Sequence, residues 1–470
     1  MKKSVLTGLA SLALLFNTGL INAQLTSQSS GSGDLKKLQQ NFVDLRFGMF
    51  IHFNIPTYAN SDWPDPETPA RLFNPQKLDA GQWARAARSA NMSYGCLTTK
   101  HHSGFCIWDT KTTSYSVMNS PYKKDVVKEF VDAFRANGLK VMLYYSILDT
   151  HHELRPNKIT DAHIQLVKSQ ITELLTNYGK IEALVIDGWD APWSRITYDQ
   201  IPFEEIYLLI KKLQPDCLVM DLNGAKYPAE GLYYTDIKTY EMGAGQRLSK
   251  ESKRMPSLAC LPINSSWFWK TDFPEKPVRD PQKTVNELIR PLNESSCNFI
   301  LNVAPNRDGL IDENAIVALR EIGKIWKNEG RTVELSPSGL PLISSNIAIR
   351  QPAGSSWSDD MDIMDFANDD DYKTAWRSHP SVSQPWWEVS FHTAKDFNTI
   401  VIAEPTPNIE KYSLEYWDGG NWKLLFTGTN LNSIKIHRFE RVWSNKIRIT
   451  VLSSKSSAAI TEFQVFNERR

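Results

Sequence analysis

Eight short apolar runs recur between residues 47 and 305: FGMFIHF (47–53), YGCLTTK (94–100), LKVMLYYS (139–146), IEALVIDG (181–188), DCLVMDL (216–222), LYYTDIKTYE (232–241), SLACLPI (257–263) and NFILNVAP (298–305). Amphipathic stretches stand between several of them. DAGQWARAARSA and DVVKEFVDAFRANG both carry a helical period, and the second closes on the Gly expected just past a helix C-terminus. Strand alternating with helix predicts parallel strands joined by crossovers, and eight such units in about 300 residues predict an α/β fold, a (β/α)8 barrel. Little helical sequence separates the fifth and sixth runs, so an irregularity is expected there. Beyond residue 345 the period drops to two, in WWEVSF, NTIVIAE, YSLEYWDGGNWKLLF, IKIHRF, NKIRITVL and ITEFQVF. WDGGNW is hairpin chemistry. These segments predict an all-β sandwich of jelly-roll type over 345–470, reached through a Pro/Gly/Ser-rich linker at 333–344.

The first 23 residues, MKKSVLTGLASLALLFNTGLINA, place two lysines ahead of an apolar stretch and end on small Ala23. That is the pattern of a secretory signal, too short and wrongly flanked for a membrane span, and it predicts export to the periplasm or beyond. SQSSGSG within 24–33 reads as a flexible tether, which leaves the barrel to residues 34–332. Lys+Arg and Asp+Glu both total 53, a balance that points away from nucleic acid and toward neutral, sugar-like partners. Fifteen Trp and sixteen Tyr supply flat faces on which sugar rings stack, although core packing accounts for most of them. Cys96, Cys106, Cys217, Cys260 and Cys297 form no CxxC pair and lie largely in apolar runs, so buried thiols are expected rather than disulfides or a zinc site.

In such barrels active sites are built at the C-terminal strand ends. The polar residues closing the runs are His52, then Lys100 with His101 and His102, Tyr144 and Tyr145, Asp187, Asp221, Glu241, Asn264 and Asn302. Asp before Gly is ordinary turn chemistry. The position of Asp187 at a barrel rim shared with other polar groups points beyond a turn, since an Asp there can act as a nucleophile, provided a second carboxyl protonates the leaving group. Asp190 reads as rim or turn. His52, His101 and His102 close adjacent strands. A metal-dependent hydrolase would use them as ligands, but neutral imidazoles also bind a polyhydroxylated ligand, being donor and acceptor at once.

FGMFIHF, LTTKHHSGFCIWDTKTTSYSV, LYYS, the Asp187 strand and NFILNVAPNRDGLID together resemble glycoside hydrolase family 29, the α-L-fucosidases, in order and spacing over about residues 35 to 330. The resemblance implies a retaining exo-fucosidase working through a covalent fucosyl-enzyme intermediate, with Asp187 as nucleophile and His52, Trp63, His101, His102 and Tyr145 on the fucose hydroxyls. Its substrates would be fucosylated oligosaccharides or glycoconjugates. Many members carry Trp-Glu before the Cys of the seventh strand, whereas SLACLPI puts Leu258 in that place. Another branch places its acid/base glutamate in a D-x-R-W…N-E-x-G stretch, and DIKTYEMG is similar in part, with Lys238 for Arg and Glu241 as the acid/base; Asp221 and Glu230 are the reserves. SSWFWK resembles that branch too, and Trp267 would pack on the fucose methyl. The branch implies a preference for α-1,3 and α-1,4 linkages. Ser103 stands where many members have an acid.

The C-terminal segment, with NDDDYKTAW and WWEVSF, is similar to the factor 5/8 type C domain, also grouped with carbohydrate-binding family 32. That resemblance implies a structural calcium near Asn368 and Asp371, suited to hard oxygen ligands; no cofactor is expected for catalysis. The competing reading of the whole chain is a non-catalytic glycan-binding protein whose barrel lost its acid/base at Leu258.

Overall fold

A computed structural model of the protein describes residues 32–189, 191, 193–198, 200–222, 235–246, 248, 256–330, 334–335, 346–431 and 434–467. The expected leader, most of the tether and linker, Asp190 and Glu230 lie outside the described residues. Eight parallel strands build the first domain: β1 (Phe47–Ile51), β2 (Tyr94–Lys100), β3 (Lys140–Ser146), β4 (Ala183–Asp187), β5 (Leu218–Asp221), β6 (Lys238–Glu241), β7 (Ser257–Pro262) and β8 (Cys297–Asn302). They pair in the order β5-β4-β3-β2-β1-β8-β7-β6, a barrel with one seam between β5 and β6. The sixth apolar run starts at residue 232, and its described strand begins only at Lys238.

Asp236 stitches that seam. Its backbone N donates to Val219 O (3.0 Å) and its carboxylate accepts from Val219 N (2.9 Å) and from the Tyr207 hydroxyl (2.7 Å), with Lys211 Nζ 2.7 Å away. A carboxylate thus supplies hydrogen bonds across the seam between β5 and β6.

The side-chain period of two explains which residues face the barrel interior. Phe50, Cys96, Met142, Tyr144, Val185, Met220, Leu258, Cys260 and Ile300 pack into one interior cluster, while their neighbours Ile51, Leu97, Val141, Leu143, Tyr145, Ile186, Val219, Ala259 and Leu301 join the layer under the helices. The same parity carries His52, Asp187, Glu241 and Asn302 inward. Gly48 has no Cβ because one would stand 2.3 Å from the Tyr94 ring inside the barrel. The covering helices start on side-chain caps, Asp79 accepting from Gln82 N (2.9 Å) and Asp125 from Lys128 N (2.8 Å). All five cysteines are buried, unbridged thiols, and no described helix is long and apolar enough to cross a membrane.

The C-terminal domain is antiparallel and all-β. Its long strands Trp386–Ala403 and Ile434–Ser454 pair along most of their length, with register shifts at Ser390/Lys395 and Phe397/Thr399. Ile409–Trp417, Trp422–Thr429, Glu462–Phe466 and Ala353–Ser355 complete the main sheet, and Trp376–Arg377 pairs with Ala459–Ile460. Trp376 and Trp387 are fully buried in its core. The hairpin expected at WDGGNW is present, with Asp418 Oδ1 accepting from Gly420 N and Asn421 N.

Candidate active site

A cavity of about 210 Å³ opens at the C-terminal strand ends. His52, Trp63, His101, His102, Asp187, Glu241 and Trp267, all singled out from the sequence, line it together. Asp187 ends β4 and is 4 % exposed. The Tyr144 hydroxyl donates to its Oδ2 at 2.6 Å, and His102 Nε2 stands 3.7 Å from the same oxygen. Such a hydrogen bond holds a carboxylate in one orientation before any substrate arrives.

Glu241 ends β6, and burial together with the nearby Asp187 charge pushes its pKa up to about 7, a hydrogen bond from Trp267 pulling the other way. Two carboxyls in one pocket, the second raised toward neutrality, are the arrangement in which one stays ionised while the other carries a proton. Leu258 sits two residues back along β7, paired with Thr239 and buried in the interior cluster below the rim. It therefore leaves no gap in the pocket.

The histidines are neutral here. Burial lowers His52 to about 4 and His102 to about 3, and His101 falls well below its ordinary value, with the neighbouring imidazoles adding to the last effect. Asn302 directs its amide nitrogen to Trp267 O (2.7 Å), so its Oδ1 accepts from His52 Nδ1 (2.7 Å) and leaves Nε2 as an acceptor. Ser146 gives its hydroxyl proton to Leu148 O (2.8 Å), so His102 Nδ1 must be the donor in its 2.7 Å contact with Ser146 Oγ. Its Nε2 is then an acceptor as well. His101 Nδ1 is buried with no hydrogen-bond partner among the described residues. Sugar hydroxyls complement such a set. No group of three or more ionisable side chains suited to a metal occurs among the described residues.

The tandem histidines rest on a buried ion pair, Lys100 Nζ to Asp149 Oδ2 at 3.1 Å, extended by His152 Nδ1 at 2.8 Å. Gly104 (φ +85°) passes so close that a Cβ would lie 2.1 Å from Asp149 Oδ1, and Thr150 N donates to His102 O (2.8 Å). A side chain larger than hydrogen at 104 would push the histidine turn off this support. Ser103, at the position where the resemblance places an acid in many members, has its Oγ buried with no partner among the described residues.

Tyr145 is a correction. Its neighbour Tyr144 faces the barrel interior, and the alternation turns Tyr145 outward, where its hydroxyl donates to Gln170 Oε1 (2.7 Å) and Lys100 Nζ lies 4.4 Å from its ring. Asp221, a reserve acid, likewise faces outward and accepts from the Tyr198 hydroxyl (2.6 Å). Asn264 does not line the pocket, and Asn302 acts through His52. Sequence reading placed Tyr144 at the rim but gave the sugar contact to Tyr145, and it missed Asp62 and Trp193. Tyr144 was legible from strand parity with Asp187, whereas Asp62 and Trp193 sit in loops without a period. Asp62 is held by Lys270 Nζ (2.6 Å) and Ser266 Oγ (2.5 Å). Trp193 meets Trp63 edge-on at 5.4 Å, and Trp63 stacks on His102 at 4.8 Å.

The family described as Alpha-L-fucosidase matches residues 15–331, and the F5/8 type C domain matches residues 351–463. The chain is 26% identical over 451 residues to Alpha-L-fucosidase 1 of Arabidopsis thaliana, covering 90% of this chain and 85% of the relative. It is 24% identical over 348 residues to Tissue alpha-L-fucosidase of Homo sapiens, covering 64% and 70%. The fold is that of a solved glycoside hydrolase 29 family member from an unknown rumen bacterium (TM-score 0.54, 23% identity, 92% of this chain and 77% of that one). With the family match spanning most of the chain and both carboxyls in one pocket, the protein belongs to the alpha-L-fucosidase family of glycoside hydrolases.

Proposed function

We propose that the protein is an exported, retaining exo-α-L-fucosidase that releases terminal α-1,3- or α-1,4-linked fucose from branched glycans through a covalent fucosyl-aspartate. The observation that carries this reading is the pairing, in one small cavity, of a carboxylate oriented by Tyr144 with a glutamate raised to about 7. In the first step an Asp187 oxygen bonds to the anomeric carbon as the glycosidic bond breaks and Glu241 gives its proton to the leaving oxygen. Water then attacks the same carbon, gives a proton to Glu241 and frees Asp187. Retention asks for carboxyls about 5–5.5 Å apart, which strand ends on one rim can supply. Neutral His52, His101 and His102 would take the sugar hydroxyls, and the Trp267 face the C6 methyl, a contact worth about 1–3 kcal/mol of discrimination.

The test is fucose release from a Lewis-type trisaccharide and an aryl α-L-fucoside, followed by NMR from the first turnover. The trisaccharide is expected to react faster and the fucose formed first to be the α anomer. A β product would overturn retention, a faster aryl fucoside would overturn the linkage preference, and no release from either would leave the glycan-binding alternative standing.

A calcium ion in the C-terminal domain belongs to the same reading. Glu462 is fully buried with Oε1 accepting from Asp370 N (2.7 Å), and burial with the Asp370 and Asp369 charges pushes it up to about 9. Carboxylate and amide oxygens are the donors calcium favours, although no group of three or more ionisable metal ligands stands ready among the described residues. Asn368 donates its amide nitrogen to Ala348 O and Gln351 O, which leaves its Oδ1 free to face a cation. Calcium is expected to raise the unfolding temperature of this domain by a few degrees relative to EDTA, an effect lost in Asp371→Ala. Identical melts with and without calcium would remove the ion from the reading.

A further inference from the structure

Beside the catalytic cavity lies an open groove of about 720 Å³, and the two share the Trp63 and Trp193 side chains. These two rings stand where the cavity meets the groove, within reach of whatever is joined to a sugar in the cavity. Two arginines line the groove from separate loops, Arg155 beyond β3 and Arg195 beyond β4, and no carboxylate lines it among the described residues. Both are exposed. Arg85 and Arg320 elsewhere on the barrel hold carboxylates at 2.8 and 3.3 Å, whereas Arg155 and Arg195 make no ion pair among the described residues. Glu153, close to Arg155 in sequence, pairs with Lys158 at 2.9 Å and also feels the Arg155 charge, though it makes no ion pair with it. Asp65 and Glu67, on the loop that contributes Pro64 and Pro66, do not line the groove.

Arg195 also has an uncommon backbone. It sits at φ 55°, in the left-handed region that non-glycine residues rarely adopt, with its N donating to Ala191 O (2.8 Å). That conformation is kept at a position whose side chain lines the groove.

Resting on the fucosidase reading above, we propose that this groove is the leaving-group subsite and that it selects glycans bearing an anionic sugar, carboxylated or sulfated, close to the fucosylated residue. Aromatic faces would carry a neutral ring while the paired guanidinium groups take the anion, since Arg presents a planar fork matched to carboxylate and sulfate oxygens. Exposed and solvated, the pair would act on selection among substrates and leave the chemical step alone.

The experiment measures kcat/KM of the full chain on a neutral fucosylated trisaccharide, on the same glycan with a terminal sialic acid, and on its sulfated form. Wild type is expected to turn over an anionic form about tenfold faster, with the advantage shrinking in ~0.5 M salt. The Arg155→Gln/Arg195→Gln double variant should lose that advantage through KM and keep the neutral rate within about twofold, and Arg155→Lys/Arg195→Lys should recover part of it. Whichever anionic form is favoured identifies the anion. Equal or slower turnover of both, or a double variant that keeps the preference, overturns the inference while neutral turnover leaves the fucosidase reading intact. No fucose from any substrate overturns both.

Discussion

Asp187→Asn is expected to lower fucose release by about 10⁴-fold or more on every fucoside, good leaving group or poor, because without the carboxylate no covalent intermediate forms. The size and the indifference to leaving group belong together: a nucleophile is needed whichever bond is broken. The variant should fold. The substituted amide keeps an oxygen for the Tyr144 hydroxyl, which in the native site lies 2.6 Å from Asp187 Oδ2, and the rest of β4 is untouched. Fucose should still bind, since His52, His101, His102 and Trp63 hold their places on other elements. Isothermal titration of fucose against the variant, beside the steady-state rate, checks both halves. Retained turnover within about tenfold of wild type would remove Asp187 from the mechanism.

The fold was legible because the two periods of the chain are so different. A run such as LVID between helical stretches carries no register information by itself, yet eight of them with crossovers leave one closed arrangement. The site was legible for a related reason: strand ends gather polar groups at one rim, and parity decides which of two neighbours faces in. Parity was also where reading failed. Tyr144 and Tyr145 are chemically identical in sequence, and only the interior register of Met142 and Tyr144 separates the one that touches Asp187 from the one bonded to Gln170. Asp62 and Trp193 come from loops, where contact depends on chain path. Asp236 reads in the sequence only as part of a motif; its work at the β5/β6 seam emerges from distances that no sequence pattern encodes.

Glu241→Gln is expected to split by leaving group. With a sugar as leaving group the loss should be about 10²–10⁴-fold, because the departing alkoxide needs the proton that Gln cannot give. An aryl fucoside with an acidic phenol leaves without that help, so its first step should stay near wild type. The second step then stalls for lack of a base, giving a burst of phenol before a slow steady state. The pH profile carries the same assignment. Glu241 is raised to about 7, so the protonated acid prevails below that pH, and wild-type kcat/KM on the sugar substrate should fall as pH climbs through about 7. In Glu241→Gln that limb should vanish. Trp267→Phe should move it upward, since the Trp267 hydrogen bond is what favours the ionised form and its removal raises the pKa further. A limb unchanged in Glu241→Gln would hand the role to another group; among described pocket residues the remaining carboxyl is Asp62, whose oxygens already engage Lys270 and Ser266. If Glu241 at the end of β6 serves as the acid, none is needed on β7, where Leu258 packs into the barrel interior.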